Sequence, residues 1–172
     1  INEMAADIMA WHCKEGRINH IHGYGKHGRD SFPRMLAERG VDLTQYPRIQ
    51  AREYIDDMAL WTAAADLVIS RAGAITISEL EVTGKPSILV PYPYAAENHQ
   101  YHNAKVLEDH GAAILVEEKD YSKERLIARI EELYRNPEKL AELGKNAASL
   151  AAYDTTQRIY GELMKALQAK RA

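Results

Sequence analysis

Cysteine is nearly missing from this sequence: Cys13 is the one thiol in 172 residues. A lone thiol forms no internal disulfide, and such usage fits a reducing compartment. Long apolar runs are missing too. None approaches the length of a bilayer span and no leader peptide opens the chain, so any membrane contact is expected to be peripheral. Neither sign of charge dominates: 22 Lys and Arg stand against 25 Asp and Glu, a net −3, with the basic residues scattered. That leaves no electrostatic footprint for nucleic acid. There is no Walker lysine pattern, no GxGxxG and no Asp-x-Asp metal pair, and no Ser–His–Asp or Cys–His arrangement can be argued.

What is present is a globular composition, 46% apolar and 27% charged, at a length that suits one domain with no interdomain linker. Met4, Ile8 and Trp11 recur at helical spacing, which predicts a helix over 2–15 ended by Gly16. Residues 17–22 alternate as a strand should, 30–39 read as a helix stopped by Gly40, and 48–53 as a short strand. The stretch 66–103 organises the rest. An apolar strand at 67–69 leads into the small-residue turn Ser70-Arg71-Ala72-Gly73-Ala74, then a helix stopping near Gly84. A buried strand at 87–90, a polar loop at 91–99 and a helix over 99–109 follow. A last strand is expected at 112–116. Ser122 and Asn136 suit the N-caps of two helices, and Asp154 that of a final amphipathic helix bearing Ile159, Leu163 and Leu167. This alternation predicts an α/β fold: a Rossmann-like, mostly parallel sheet with flanking helices. A helical tail over 122–172 is expected to pack on the same single domain, 1–172.

Ligands of parallel sheets gather where strands end and helices begin. At 71–76 small residues let the backbone approach a ligand, and the unpaired N–H groups of a helix start suit a diphosphate. Close helix–sheet packing explains the same residues, and pattern alone favours it. Glu79 fits two roles. Thr76-Ile77-Ser78-Glu79 matches a capping box, whereas a free carboxylate there accepts hydrogen bonds from two vicinal ribose hydroxyls. Asn98, His99, Gln100 and Asn103 cluster at one helix start, which suits either a grip on sugar hydroxyls or a solvated first turn capped by Asn98. His20 and His22 share a strand face, but no third metal ligand stands at recognisable spacing. Asp56 and Asp57 read most simply as helix caps.

Taken in series, these segments resemble the MurG family of bacterial UDP-N-acetylglucosamine:lipid I N-acetylglucosaminyltransferases. The residues that carry the likeness are Tyr54-Ile55-Asp56-Asp57-Met58, Ala65 to Ala74 (ADLVISRAGA), Glu79, Pro91 to Gln100 (PYPYAAENHQ) and Asn103-Ala104. It covers nearly the whole chain and is strongest from Tyr54 to Asn103. The resemblance implies the C-terminal, donor-binding half of a GT-B fold, in which two Rossmann-like halves face a cleft. It implies that Ile55 and Met58 line the uracil site and that the backbone at Ala74, Ile75 and Thr76 faces the diphosphate. By the same resemblance Glu79 holds the ribose, and His99, Gln100 and Asn103 face the N-acetylglucosamine. Residues 22–26 are similar to the family's strand-to-loop segment beside the donor.

The implied reaction is inverting transfer of N-acetylglucosamine from UDP-N-acetylglucosamine to lipid I, giving lipid II for peptidoglycan at the cytoplasmic face of the cell membrane. No cofactor and no protein-bound metal are implied. The family's Gly-rich loop with the strand before it has no counterpart here, nor has the acceptor half with its base and membrane-docking surface. The chain alone is therefore expected to supply the UDP-sugar site yet to be inactive as a transferase, and the strands beside the missing one to lack a partner. Two rivals remain: the donor half of another GT-B transferase with a lipid acceptor, and a non-catalytic nucleotide-sugar-binding module that works with a partner chain.

Overall fold

The computed structural model describes residues 1–169. Strand and helix alternate as α1 (Asn2–Glu15), β1 (His20–Gly23), α2 (Ser31–Glu38), β2 (Ile49–Arg52), α3 (Met58–Ala64), β3 (Val68–Ser70), α4 (Ala74–Thr83), β4 (Ser87–Leu89), α5 (His99–Asp109) and β5 (Ala113–Leu115). Three helices close the described chain: α6 (Lys123–Arg135), α7 (Pro137–Ser149) and α8 (Thr155–Ala169). Every strand pairing is parallel. The strands form two ladders, β1–β2 and β3–β4–β5, with Ile88 opposite both Ile69 and Ile114. No ladder joins β1 to β3 among the described residues, so each keeps one edge without a strand neighbour.

β4 is buried along its whole length, which is why it reads as an unbroken apolar run. Its side chains alternate between two cores. Leu89 packs with Ile77 and Leu80 of α4 and Leu107 of α5, whereas Ile88 and Val90 pack with Met4 and Ile8 of α1 and Leu126, Ile130 and Leu133 of α6. The result is a sheet between two helical layers. α1 also joins the two ladders: Ala5, Ala6 and Met9 pack on Phe32, Leu36 and Ile49 beside β1 and β2.

Several helix ends follow their sequence signals. Gly16 and Gly84 adopt left-handed φ of 65° and 59° and close α1 and α4, a conformation that costs glycine least. Ser122 accepts a hydrogen bond from Arg125 N–H and Asn136 one from Lys139 N–H. Others differ. The capping box at 76–79 does not form, because α4 starts at Ala74 with Gly73 at its N-cap and Thr76 already lies inside the helix. Asp57 and Asn98 occupy the N-cap positions of α3 and α5 without a side-chain cap bond, and Asn98 is left-handed at φ 53°. Asp154 spends its carboxylate on Arg158 Nε at 2.9 Å rather than on a backbone N–H. The strand expected at 17–22 begins only at His20, where pairing with Ile49 starts. Within the tail expected at 122–172, α6 and α7 contribute buried side chains, while α8 buries none and leaves Ile159, Leu163 and Leu167 exposed. Residues 170–172 lie outside the described residues.

α7 reaches α4 through a glycine. A Cβ on Gly144 would meet Gly84 O at 2.6 Å and Pro86 Cδ at 3.2 Å, so the helices approach this closely only because that side chain is missing. Gly144→Ala is expected to cost about 1–3 kcal/mol of unfolding free energy, typical of forced overpacking. A urea midpoint equal to that of the unsubstituted chain would contradict the contact.

α1 is clamped to β1 by imidazoles. His12, 5% exposed, places Nδ1 3.1 Å from Nδ1 of His20, so one ring donates and the other accepts. His22 Nε2 lies 3.0 Å from Asn2 Oδ1, whose amide nitrogen donates to Tyr24 O. Burial pulls His12 and His22 down to about 4 and His20 to about 3, from an ordinary 6.5. The unfolded chain therefore binds protons first. Stability is full above about pH 6.5 and is lost as pH falls from there toward about 4, by up to about 1.4 kcal/mol per pH unit for each imidazole. Urea unfolding at about pH 7.5 and about pH 5 checks this. A lower midpoint is expected at the acid value, and equal midpoints would contradict it.

Candidate functional site

The site forms where β3 and β4 end and α4 and α5 begin. β3 stops at Ser70, and the turn 71–73 delivers the chain to α4. The first bond to close the α4 ladder runs from Ile77 N–H to Gly73 O at 2.9 Å. The N–H groups of Ala74, Ile75 and Thr76 have no partner among the described residues, as the first turn of a helix without a side-chain cap requires. Ala74 and Ile75 lie at the surface, Ile75 with 78% of its area exposed, and Thr76 is half-buried. Together with the positive end of the α4 dipole they make a preorganised anion site.

Glu79 stands one turn further on, on the same helix face as Ile75 and Thr76. Its carboxylate is exposed and makes neither a hydrogen bond nor an ion pair among the described residues. Of the two roles open to it in the sequence, the cap is excluded by where α4 starts. A free, outward carboxylate remains.

The cluster at the start of α5 does more than face solvent. Gln100 Oε1 accepts from Tyr92 N–H at 2.9 Å, and Asn103 Nδ2 donates to Ala72 O at 3.1 Å. Each amide therefore ties α5 to a loop of the site with one end and keeps the other end free. His99 Nδ1 lies 2.9 Å from Ala96 O; a carbonyl accepts, so Nδ1 carries the hydrogen and Nε2 is left as an acceptor. The structure thus brings Ala74, Ile75, Thr76, Glu79, His99, Gln100 and Asn103 to one end of the sheet.

Ile55 and Met58 differ from each other. Met58 opens α3 and is half exposed, while the Ile55 side chain is 6% exposed and packs at Gly23. α3 is held in place by Lys85, whose ammonium donates to Ala63 O and Ala65 O at 2.7 and 2.9 Å, and by Arg52 stacked over Trp61.

Sequence reasoning missed Arg71. Its Nη1 donates to Val90 O and Pro91 O, and its Nη2 lies 2.7 Å from Glu118 Oε1. Those partners sit on other elements, and no local spacing announces them. A cavity of about 360 Å³ lies elsewhere, along β5 between α5 and α6, lined by Tyr101, Glu108, Arg125 and Arg129 among others. Among the described residues no three or more His, Cys, Asp or Glu side chains are grouped to hold a metal ion; His12 and His20 hold each other, and His22 holds Asn2 of α1.

This arrangement has known relatives. The family model described as the glycosyltransferase family 28 C-terminal domain matches residues 1–159. The chain belongs to that family. It is 40% identical over 150 residues to the UDP-N-acetylglucosamine--N-acetylmuramyl-(pentapeptide) pyrophosphoryl-undecaprenol N-acetylglucosamine transferase of Desulforamulus reducens, across 87% of this chain and 40% of that protein. The protein of the same name from Acetivibrio thermocellus is 38% identical over 172 residues, across 100% of this chain and 45% of its own. The crystal structure of Acinetobacter baumannii MurG superposes with a TM-score of 0.75 at 27% identity, covering 94% of this chain and 46% of that one. A glycotransferase of kitacinnamycin shares the fold, with a TM-score of 0.62 at 18% identity over 93% of this chain and 38% of that one. The family 28 chain is thus built like the C-terminal half of a GT-B glycosyltransferase, and it spans less than half the length of the curated relatives it matches.

One stability measurement separates the two roles once open to Glu79. Glu79→Ala is expected to change unfolding free energy by no more than about 0.5 kcal/mol, as for an exposed side chain without partners. A loss of about 1 kcal/mol or more would restore the capping role.

Proposed function

We propose that this chain is the donor-binding part of an inverting glycosyltransferase that moves N-acetylglucosamine from UDP-N-acetylglucosamine to lipid I, giving lipid II. The observation that carries the reading is the trio of unpaired N–H groups at Ala74, Ile75 and Thr76 with a partnerless Glu79 one turn deeper on the same face. The relatives' names supply the sugar and the acceptor; the chain itself supplies the chemistry for a nucleotide diphosphate.

In this reading the acceptor hydroxyl attacks the anomeric carbon while that carbon's bond to the β-phosphate oxygen breaks and UDP departs. Negative charge builds on the leaving diphosphate. Fixed amides at the α4 start stabilise it without reorganising as it develops. Glu79 accepts from the two ribose hydroxyls and sets the depth at which the diphosphate meets the amides. Met58 and Ile55 flank the base. The free Gln100 Nε2, Asn103 Oδ1 and His99 Nε2 face the sugar hydroxyls. The hydroxyl proton goes to a base outside this chain, as do the contacts to lipid I, so the chain alone turns over no substrate. Among the described residues no helix is long and apolar enough to cross a membrane. The reading places the full enzyme peripherally at the cytoplasmic membrane face.

Calorimetric titration of this chain with UDP-N-acetylglucosamine, UDP-glucose and UDP tests the proposal. Glu79→Ala is expected to weaken nucleotide binding by about 1.5–3 kcal/mol, the range for hydrogen bonds with a charged partner. Binding unaffected by that change would remove Glu79 from the site.

A further inference from the structure

The segment 91–98 is the part of the site with least regular structure and most demanding backbone. Glu97 and Asn98 are consecutive non-glycine residues at positive φ, 50° and 53°. L-residues disfavour that region, so a loop that adopts it twice must be held from outside. Pro91 and Pro93 stiffen its first half. Gln100 and His99 restrain it from α5, and Arg71 restrains it from the turn after β3.

We propose that Arg71 is a positioning residue: its guanidinium fastens the carboxyl ends of β3 and β4 to the turn after β5, and so fixes the loop that aims His99 and Gln100 at the sugar. Nη1 donates to Val90 O at 3.2 Å and Pro91 O at 3.0 Å, Nη2 meets Glu118 Oε1 at 2.7 Å, and the guanidinium lies 5.3 Å from the Tyr92 ring centre. On the other side of Tyr92, its N–H is held by Gln100. Tyr94 leans edge-on against Tyr92 at 5.7 Å. The planar fork of arginine suits this task, because one rigid group reaches two carbonyls and a carboxylate together, which an ammonium does not reproduce.

The geometry also says that Arg71 does not bind phosphate itself. Its side chain is 30% exposed, both Nη1 hydrogens and one on Nη2 are committed inward, and its charge is paired with Glu118. Burial works against that carboxylate, yet the hydrogen bond from Arg71 holds it below the usual carboxylate range. Arg71 therefore acts on the sugar through the loop. The anchoring of the loop stands on these contacts alone; its consequence for the sugar rests on the donor-site reading.

Two measurements on the chain with Arg71→Gln, Arg71→Lys and Glu118→Gln separate these layers. The first is amide hydrogen exchange without ligand, read at Tyr92, Ala95 and Asn98, whose N–H groups are bonded within the segment or to Gln100. Arg71→Gln is expected to speed exchange there by about tenfold or more, the loss of roughly one charged hydrogen bond, while α6 amides stay unchanged. Arg71→Lys is expected to recover only part of the protection, and Glu118→Gln to show a smaller rise at the same amides. Unchanged exchange at the three amides, or an equal rise in α6, overturns the proposal. The second is calorimetry. Arg71→Gln is expected to erase about tenfold of any preference for UDP-N-acetylglucosamine over UDP while leaving UDP affinity within about twofold. Equal weakening of both ligands overturns the positioning role in favour of direct phosphate contact. An unsubstituted chain that binds neither nucleotide defeats the donor-site reading, and the exchange result still decides the anchoring.

Discussion

The burial of β4 on both faces is the constraint from which the rest follows. A strand with Ile88 and Val90 in one core and Leu89 in the other must have helices above and below it. Parallel neighbours then require each strand to return through a helix on one layer. The consequence is directional: all strands finish at one end, and there α4 and α5 both begin. The donors of α4 are free because they start a helix at the sheet's end, where no preceding turn can satisfy them.

At that end the labour divides between backbone and side chains. In the proposed reading backbone N–H groups meet the charge that grows on a leaving diphosphate, since they are fixed before the reaction begins. Side chains that the proposed reading assigns to ligand also carry a structural task. Gln100 and Asn103 each spend one end of the amide on Tyr92 or Ala72, and the other end has no partner among the described residues. Binding groups that also stitch the loops together are held in place before a ligand arrives, which lowers the entropic cost of binding.

What was legible in the sequence was what is local. The helix over 2–15 with its glycine stop, the caps at Ser122 and Asn136, and the helix over 99–109 all depend on neighbours a few residues away, and they were read nearly to the residue. The residues singled out between Ala74 and Asn103 stand together where β3 and β4 finish and α4 and α5 begin. Three features escaped. The capping box failed because Gly73 starts α4 three residues before Thr76, and a box is recognised only relative to the true start. Ile55 turned inward because the open face of Gly23 takes its side chain, a contact between distant segments. Arg71 lay in plain view within a small-residue turn, but its partners come from the ends of two other strands. Local spacing carries no information about what folds back upon it. The unpaired edges of β1 and β3, by contrast, were among the expectations, carried by the resemblance and not by local spacing.

The central claim is that the opening amides of α4 receive a nucleotide's phosphates. Backbone amide NMR during a UDP titration tests it residue by residue. The account predicts the largest shifts at Ala74, Ile75 and Thr76, with Glu79 following them. Shifts concentrated instead around Ile114 to Val116, Arg125 and Arg129, which line the cavity along β5, would contradict it.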